Sequence, residues 1–367
     1  MKILITGSEG FIGKNLSLRL SEENLFSVIN LIGHEDDSEI EHKVQQSDFI
    51  IHLAGVNRTN DENDFEEINH LLTKKICNLA SKAKKPPHII FPSSIQVKLD
   101  NPYGKSKLLA EKCLVEYSKI SSSKVAIYRL PNVFGKWGKP NYHSVIATFC
   151  NNIARGLPIE IHQPDRELQL VYVDDVITHF INFLKEPNND TYQEIKAIYK
   201  VKLNSIATKL KTFKDSRKKL EIDTVGKGFN RALYATYISY LDPEDFVYEV
   251  TAHNDSRGSF VEVLKTKDSG QFSFFSAYPG VTRGGHYHNT KTEKFIVIQG
   301  KALFRFRSLE TGEYKEIMTS EDKSAVVESI PGWTHDITNI GNSKMIVMLW
   351  ANEIFDQENP DTYSSEI

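Results

Sequence analysis

The chain has 367 residues, of which 40% are hydrophobic and 25% are charged, and its formal net charge is −3. This length exceeds the size at which one hydrophobic core usually suffices, so two domains are expected. The balanced charge gives no general reason to expect nucleic acid or an anionic membrane as a partner, and any anionic ligand must be held by local groups. The three cysteines have neither paired nor CxxC spacing, and the sequence shows no signal-peptide pattern and no run of about 18 apolar residues. These features predict a cytoplasmic protein.

The amino-terminal part alternates predicted strands with predicted helices. A buried strand over residues 2–6 is followed by a glycine turn and a helical pattern from about 11 to 20. Further apolar runs predict strands, with helical patterns between them: strands at 48–55, 88–94 and 124–130, helices notably at 66–82 and 102–119. This alternation predicts an α/β fold, a Rossmann-type doubly wound parallel sheet, over residues 1–243.

The carboxy-terminal part has a different residue pattern. From about Phe246 onward, short strand-like runs are separated by turn residues, with no convincing long helix, which is typical of an all-β sandwich or barrel. Asp242 and Pro243 favour a turn, so we place the domain boundary there and predict an all-β domain over residues 244–367. The charged stretch "KDSRKKLE" at 214–221 is interpreted as a solvated helix face.

Three glycines follow the first strand at the spacing Gly7-x-x-Gly10-x-x-Gly13 and open a helix. This is the context that a dinucleotide-binding loop requires. Glycines allow a tight turn and a close backbone approach, so the backbone at the helix start, at Phe11 and Ile12, can face a pyrophosphate. The pattern alone is weak, because an ordinary glycine turn between a strand and a helix has the same spacing.

A serine, a tyrosine and a lysine strengthen the dinucleotide interpretation. Pro102 suits the first turn of a helix, and Tyr103 and Lys107, four residues apart, then lie on one face of it. A free tyrosine has a pKa of about 10, and a nearby ammonium together with a cationic nicotinamide favours the phenolate; a pKa of about 7 would represent roughly 4 kcal/mol. We predict that Tyr103 protonates an alkoxide as hydride reaches a carbonyl, while Ser94 bonds the carbonyl oxygen. A Tyr/Lys pair alone would be read as a surface pair.

With these residues in order, residues 1 to about 240 resemble an extended short-chain dehydrogenase/reductase acting on nucleotide sugars. The motifs "HLAG" (52–55), "RLPNVFG" (129–135) and "VYVDDV" (171–176) are also shared. The resemblance implies that the cofactor site includes the strand end Leu53, Ala54 and Gly55. The end of the second strand is ambiguous between Gly33, His34 and Glu35, so the residues there do not distinguish NAD from NADP. The resemblance implies NADP(H) as the cofactor.

The same resemblance implies a sugar-nucleotide pocket. Asn132 and Arg166 are candidates for contacting the substrate, and Asn69 for organising the site. One departure concerns the loop that borders this pocket. Only eight residues separate Ser94 from Tyr103, fewer than in typical members of the family, so that loop is short.

The all-β part carries two histidine motifs. The first has the order Gly280, five residues, His286-x-His288, four residues, Glu293, six residues, Gly300, and it fits the first cupin motif. The second, around His335, fits the second cupin motif except that Pro331 directly precedes Gly332. The resemblance predicts a cupin, a double-stranded β-helix or jelly roll.

The cupin motifs supply four candidate metal ligands. Strand alternation sends His286 and His288 to the same face, and Glu293 and His335 from neighbouring strands can complete a three-histidine, one-carboxylate set. Such a set suits zinc or another divalent first-row metal. A lone His-x-His pair is more often accidental, but four candidate ligands at family spacing favour coordination.

A second interpretation gives the cupin a metal-free mechanism. "DSRGSFVE" and "GVTRGGHYH" resemble the metal-free cupin epimerases that act on nucleotide-linked 4-keto-6-deoxysugars. That resemblance implies that Arg257 and Arg283 bind substrate and that His286 is the base that abstracts a proton. The tyrosine acid expected on the strand after His335 is absent, which weakens a simple transfer of that mechanism.

Over essentially its whole length the chain resembles the CapF-type bifunctional enzymes of capsular polysaccharide synthesis. The resemblance implies that the cupin epimerises C3 of a UDP-linked 2-acetamido-2,6-dideoxy-4-ketohexose and that the reductase reduces C4 with NADPH, towards UDP-N-acetyl-L-fucosamine. It implies a homodimer, because cupins commonly pair through their sheets. Two alternatives stay open: a reductase whose cupin serves only for dimerisation or substrate capture, and a sensor that binds at both sites without turnover.

Overall fold

The computed structural model describes residues 1–33, 35–142, 144–255, 258–261, 263–266, 270–353, 356 and 358–367. The chain divides into two compact units. One consists of Met1–Ser144 and Glu167–Val201, and the other of Val145–Arg166 and Lys202–Ile367. Among the described residues, no helix combines the length and the apolar character that crossing a bilayer would need.

The described residues form eight α-helices, listed here in chain order: α1 Phe11–Ser21, α2 Asp37–Gln45, α3 Leu72–Ser81, α4 Pro102–Ser121, α5 Val145–Ala154, α6 Val173–Lys185, α7 Leu203–Lys219 and α8 Gly228–Ile238. A π-helical segment, Phe65–Leu71, precedes α3, and short 3-10 turns lie at Ile95–Lys98 and Pro243–Phe246. The helices predicted at 11–20, 66–82 and 102–119 are therefore present.

The first unit contains a six-stranded, wholly parallel sheet. Its strands follow the order β2-β1-β3-β4-β5-β8: β1 Lys2–Thr6, β2 Ser27–Leu31, β3 Phe49–His52, β4 His88–Ser94, β5 Val125–Leu130 and β8 Tyr192–Gln193. The inner strands are buried along their apolar runs, as a parallel sheet covered on both faces requires. The predicted doubly wound parallel sheet is confirmed.

The strand ends place polar residues at one edge of this sheet. Thr6 pairs with His52 at the ends of β1 and β3, and β4 ends at Ser94. Carboxyl ends of parallel strands share an edge, which is where α/β folds bind ligands. A small sheet of β6 Asn132–Phe134, β7 Glu167–Tyr172 and β9 Ile198–Lys202 follows, with β6 and β7 parallel.

The second unit contains two five-stranded antiparallel sheets. One has the order β11-β20-β17-β22-β15: β11 Val247–Glu249, β15 Gln271–Ala277, β17 Glu293–Gln299, β20 Ala325–Glu328 and β22 Met345–Ala351. The other has the order β19-β18-β21-β16-β23: β16 Thr282–Tyr287, β18 Lys301–Ser308, β19 Tyr314–Ser320, β21 Trp333–Asn339 and β23 Tyr363–Ser364. Short strands form two further pairs: β10 Glu221–Ile222 with β14 Lys265–Thr266, and β12 Ala252–Asp255 with β13 Gly258–Val261. The predicted cupin fold is confirmed.

Alternating burial explains why the carboxy-terminal strands form packed sheets. In β18 the buried positions are every second residue, so Ala302, Phe304 and Phe306 face the core. Phe306 and Trp333 both pack edge-on against Phe246, which lies in the 3-10 turn before β11. Aromatic contacts therefore hold this turn against the second sheet.

The stretch at 214–221 is a solvated helix face only in part, since Asp215, Lys218 and Lys219 are exposed but other residues of the stretch are not. It forms the end of α7, where Ser216 is buried and Arg217 binds the carboxylate of Glu328 on β20. The ammonium of Lys294, on β17, binds the same carboxylate. The sequence did not reveal this buried ion-pair cluster, because Glu328 and Lys294 lie more than 70 residues away from Arg217 in the chain.

Candidate active sites

The glycine loop has the geometry of a pyrophosphate cradle. Gly10 is the N-cap of α1. Because glycine has no side chain, the N-cap residue does not occupy the first amides of the helix, at Phe11 and Ile12. A Cβ on Gly13 would lie 2.3 Å from the carbonyl oxygen of Gly7, so only glycine lets the helix start pack on the loop. These residues fit a dinucleotide.

A relay of hydrogen bonds fixes the strand end that borders this loop. The amide of Ala54 donates to Thr6 Oγ1 (3.0 Å), and Thr6 Oγ1 lies 2.7 Å from His52 Nδ1. On the other side, His52 Nε2 lies 2.9 Å from Thr73 Oγ1, whose proton goes to the carbonyl of Asn69 (2.7 Å). Since each hydroxyl has one proton, the network assigns a neutral His52 that accepts at Nδ1 and donates at Nε2.

This relay predicts that the first unit loses stability in acid. Burial, together with repulsion by Lys107, lowers the pKa of His52 to about 3, against about 6.5 unfolded. A depressed histidine pKa means that the unfolded chain binds more protons between these values, so stability is retained above pH 6.5 and falls as the pH drops towards 3. The loss from His52 between pH 7 and pH 5 should be about 2 kcal/mol.

Urea unfolding monitored at a series of pH values tests this expectation. The variant His52→Gln should be less stable at pH 7 but should lose less stability on acidification than the unmodified chain. An unchanged dependence on pH in His52→Gln would show that other groups, such as His88 and His179, whose pKa values burial also lowers, carry the whole effect.

The predicted serine, tyrosine and lysine converge in the first unit. Ser94 ends β4 and Tyr103 lies in the first turn of α4, where the Ser94 hydroxyl is close enough to lower the pKa of the phenol. Asn101 caps α4 by accepting from the amide of Gly104 (2.7 Å), and Pro102 occupies the first turn as predicted. The short connection between Ser94 and Tyr103 contains a 3-10 turn at Ile95–Lys98.

Lys107 and Asn69 both reach Gly55, at the end of the "HLAG" motif. A Cβ on Gly55 would lie 3.3 Å from the Lys107 ammonium and 2.8 Å from Asn69 Oδ1. Asn69 is buried in the π-helical segment, accepts from the amide of Val56 (2.9 Å) and donates to Ser106 (3.1 Å). π-helical segments are frequent at functional sites. The structure therefore brings Asn69, which the resemblance implied as an organiser, beside the lysine.

The protein's own groups do not lower the pKa of Tyr103. Burial raises the pKa of this phenol above its ordinary value, and the hydrogen bond with Ser94 offsets only part of the rise. Burial lowers the pKa of Lys107 to about 8, against the attraction of Glu111. The lowered Tyr103 pKa expected from the sequence therefore depends on the positive charge of a cationic nicotinamide.

The remaining residues predicted around the reductase site are more dispersed. Asn132 is exposed at the start of β6 and donates to the carbonyl of Gln169 (3.3 Å). Arg166 is exposed and belongs to the second compact unit. Glu35 accepts hydrogen bonds from the amides of Ile32 and Gly33 and from Lys43. His34 lies outside the described residues.

The four predicted metal ligands converge in the second unit. His286 on β16 lies opposite His335 on β21, and Glu293 begins β17. The candidate ligand atoms of these residues and His288 all lie within 4.8 Å of one another. His288 Nε2 and His335 Nε2 lie 3.0 and 3.3 Å from Glu293 Oε2. In a tetrahedral zinc site with bonds of about 2.0–2.1 Å, neighbouring ligand atoms are roughly 3.4 Å apart, so the two distances to Glu293 are close to the spacing that zinc requires.

Electrostatics favour the protonation states that a metal needs. Burial, with repulsion by His335 and His288, lowers the pKa of His286 to about 3, and burial also lowers the pKa of His335. Burial opposes ionisation of Glu293, but His288 and His335 hold its pKa well below the usual value. Within the described part of the chain, buried His335 makes no well-aligned hydrogen bond through either ring nitrogen, although its Nε2 lies 3.3 Å from Glu293 Oε2. Neutral imidazoles facing an ionised carboxylate suit a divalent cation.

Of the two arginines assigned to substrate, Arg283 can be placed. It is exposed on β16 opposite Ile337, hence on the same face as His335, and its guanidinium lies 5.3 Å from the ring centre of Phe275. Arg257 lies outside the described residues. Two groups near the sites were missed by sequence reasoning: Glu111, behind Lys107, and Asp361, beside His288.

Family models match both parts of the chain. Residues 3–198, more than half of the chain, match the NAD dependent epimerase/dehydratase family, and residues 253–363 match the polysaccharide biosynthesis C-terminal domain. The UDP-glucuronic acid 4-epimerase from Bacillus cereus, solved in complex with NAD, shares the fold at 20% identity and a TM-score of 0.53, over 58% of this chain and 84% of its own. The fold and these matches define a short-chain dehydrogenase/reductase with a nicotinamide cofactor, extended by a cupin.

Two relatives match over the whole length. The chain is 47% identical to the UDP-2-acetamido-2,6-beta-L-arabino-hexul-4-ose reductase of Pseudomonas aeruginosa, over 100% of this chain and 99% of that protein. It is similar to the crystal structure of the capsular polysaccharide assembling protein CapF from Staphylococcus aureus, with 39% identity, a TM-score of 0.67 and 100% coverage of both chains. The chain belongs to the CapF family of capsular polysaccharide enzymes, as its motifs predicted.

Proposed function

We propose that the chain is a bifunctional nucleotide-sugar enzyme. The cupin epimerises C3 of UDP-2-acetamido-2,6-dideoxy-4-ketohexose in its L-arabino form, and the reductase then reduces the C4 ketone with NADPH. The product is UDP-2-acetamido-2,6-dideoxy-L-talose, on the route to UDP-N-acetyl-L-fucosamine for capsular polysaccharide. One observation carries the proposal: a Ser-Tyr-Lys set and a His/Glu cluster occur in one chain that matches, end to end, a reductase of such a ketose.

In the reductase half, Tyr103 is the proposed proton donor. A nicotinamide bound along the glycine loop and the Leu53–Gly55 strand end supplies hydride to the ketone carbon. The oxygen that becomes an alkoxide needs a proton, and a phenol with a raised pKa stays protonated at neutral pH. Ser94, which partly offsets the rise in the Tyr103 pKa, is proposed to bond the same oxygen. Lys107, whose ammonium lies beside Asn69 and Gly55, is proposed to position the cofactor.

In the cupin half, His286 is the proposed catalytic residue. A proton next to a ketone is acidic because the carbanion delocalises into an enolate, so inversion at C3 needs a base and enolate stabilisation. His286 is the partly exposed member of a cluster whose other members are buried, and it is therefore the member that substrate can reach. Its lowered pKa keeps the ring neutral, as both a base and a metal ligand must be. The neutral ring has one lone pair, so taking the C3 proton and binding a metal are alternative roles for His286. Arg283, with Arg257, is proposed to hold the diphosphate.

We propose zinc for the His286, His288, Glu293 and His335 set, because histidine nitrogens and a single carboxylate are typical zinc ligands. A bound divalent cation would supply Lewis acidity to substrate oxygens. For the nicotinamide site we propose NADP(H). Glu35, the acidic residue after β2, is engaged by two backbone amides and Lys43, so its carboxylate is committed to its own chain.

The two half-reactions are complementary. Epimerisation next to a ketone is reversible and keeps the ketone, whereas reduction removes it and traps the new configuration. The boundary between the two catalytic domains is proposed at residues 243 and 244. The three cysteines, Cys77, Cys113 and Cys150, are free thiols, in keeping with the proposed cytoplasmic location.

The proposal is tested with the 4-keto sugar nucleotide in deuterated water, followed by NMR, with no cofactor, with NADPH and with NADH. We expect deuterium at C3 without any cofactor, and a C3-inverted, C4-reduced product when NADPH is present. NADPH oxidation that yields a product with unchanged C3 would leave a reductase whose cupin only binds or dimerises. Absence of both reactions would leave a binding protein.

We further propose a homodimer formed through the cupin. Strand β15 is the edge of its sheet, and its outward aromatic residues Phe274 and Phe272 are 74% and 46% exposed. An exposed apolar edge strand is a ready pairing surface. Phe274→Glu should therefore convert a dimer into a monomer in multi-angle light scattering. Met318→Glu, a 70% exposed residue on the edge strand β19, is the control; if only the control dissociates the dimer, the surface is wrongly assigned.

A further inference from the structure

The last residues of the chain hold the loop that carries one of the proposed metal ligands. This loop, residues 288–292, connects β16 with β17 and therefore joins three members of the His/Glu cluster. We propose that Asp361 is a positioning residue for the metal site: its carboxylate fixes the loop, and its carbonyl orients the imidazole of His288. The inference rests on the metal centre proposed above.

The carboxylate of Asp361 gathers four hydrogen bonds from three consecutive residues. Oδ1 accepts from the amide of Asn289 (2.8 Å), and Oδ2 accepts from the amides of Thr290 (2.7 Å) and Lys291 (2.8 Å) and from Thr290 Oγ1 (2.8 Å). A loop has no ladder of its own to satisfy its amides. One ionised side chain does so here, and charge-assisted hydrogen bonds of this kind are the strong ones.

The backbone carbonyl of Asp361 determines which nitrogen of His288 can bind a metal. His288 Nδ1 lies 2.5 Å from this carbonyl oxygen, which can only accept, so Nδ1 carries a proton. In the neutral ring the lone pair is then on Nε2, which points at Glu293 (3.0 Å) inside the cluster. Metal-binding histidines almost always donate their second ring N–H to such a partner, which fixes the tautomer and the ring orientation.

The residues that follow Asp361 extend the same contact. Lys291 Nζ donates to Thr362 Oγ1 (2.8 Å), and Tyr363 stacks on Tyr287 with ring centres 5.5 Å apart. Strand β23 pairs with β16 at His286 and Tyr287. The terminal segment therefore borders both histidines of the His-x-His pair. A segment that only covered the barrel would not need the hydrogen bonds that Asp361 and Thr362 make with the loop between β16 and β17.

The test compares the full-length unmodified chain with Asp361→Ala and Asp361→Asn. Asp361→Ala removes the four carboxylate contacts and keeps the carbonyl, and Asp361→Asn keeps the side-chain size but places an amide N–H against amide donors. The control is Asp356→Ala, an exposed aspartate of the same terminal segment that accepts from the amides of Glu358 and Asn359. The readouts are the zinc dissociation constant, by competition with a chromophoric chelator, and the melting temperature of the stripped and zinc-loaded forms.

We expect a zinc dissociation constant 10- to 100-fold higher in both Asp361 variants, as for other partners of metal ligands, and an unchanged constant in the control. The lost hydrogen bonds should lower the melting temperature of the stripped variants. Because the gain in stability from a ligand depends on its dissociation constant, zinc should in addition raise the melting temperature of the variants by less than it raises that of the unmodified chain. Unchanged zinc affinity, or equal destabilisation of the stripped and loaded forms, would overturn the inference. An unmodified chain that binds no zinc would instead refute the metal centre itself, and the inference with it.

Discussion

Tyr103→Phe should reduce the rate of ketone reduction by a factor of about 10² to 10⁴, the usual contribution of a positioned proton donor. The variant removes one oxygen atom from the first turn of α4 and leaves the ring, which packs 6.0 Å from Phe65, in place. Without the phenol, an alkoxide formed by hydride transfer at the Ser94 hydroxyl has no acid of suitable pKa beside it. NADPH binding, which depends on the glycine loop and Lys107, should persist.

Single-turnover NADPH oxidation with the 4-keto sugar nucleotide measures this loss, and cofactor fluorescence measures binding. Tyr117→Phe is the matched control, because it makes the same change on the same helix. Tyr117 is buried and donates to the carbonyl of Pro87 (2.6 Å), so its loss should cost stability of about 1 kcal/mol but not activity. Reduction at the unmodified rate in Tyr103→Phe would remove Tyr103 from its proposed role. Deuterium exchange at C3 should continue in this variant, since the cupin does not use the phenol.

Local sequence patterns were sufficient to predict the elements that carry both candidate sites. The apolar runs of β1, β3, β4 and β5 are buried on both faces, so they stand out in the sequence without any knowledge of their partners. The glycine spacing reflects a contact that no other residue allows, at Gly13. The metal-ligand spacing was interpreted through strand alternation, but β16 ends at Tyr287 and His288 begins the loop that follows, so the loop and not the strand positions His288.

The residues that the sequence did not reveal act through distant partners. Glu111 lies one turn after Lys107 and looks like an ordinary helix carboxylate, but it is buried and binds Ser93 (2.5 Å) and Arg129 (2.6 Å). Asp361 is 73 residues from His288 in the chain. No periodicity links such pairs. They become visible only when the fold has set which strand ends and loops meet.

The pKa of Tyr103 illustrates a second limit. The spacing of Tyr103 and Lys107 predicted that charge would decide the pKa of the phenol, yet burial decides it and raises it. Desolvation depends on everything that covers a group, and a sequence shows only the neighbours along one helix. For a reductase the result is favourable, because the direction of reaction needs the protonated phenol.

His286→Asn should slow exchange of the C3 proton by a factor of at least about 10², which is the lower end of what a general base contributes. The substitution removes the imidazole that substrate can reach, in a cluster whose three other members, His288, Glu293 and His335, are buried. NADPH binding in the first unit should be unchanged. The measurement is deuterium incorporation at C3 without cofactor, by NMR, together with the zinc content of each purified protein.

The zinc content distinguishes the two roles proposed for His286. A variant that keeps its zinc but loses exchange points to His286 as the base, whereas loss of both points to His286 as a ligand that the reaction needs. His162→Asn, at a histidine of the second unit whose side chain is 86% exposed, is the control and should retain both. Exchange at the unmodified rate in His286→Asn would contradict the epimerase site. Because Tyr103→Phe should lose reduction but keep exchange, and His286→Asn should lose exchange but keep NADPH binding, the pair of variants separates the two half-reactions within one chain.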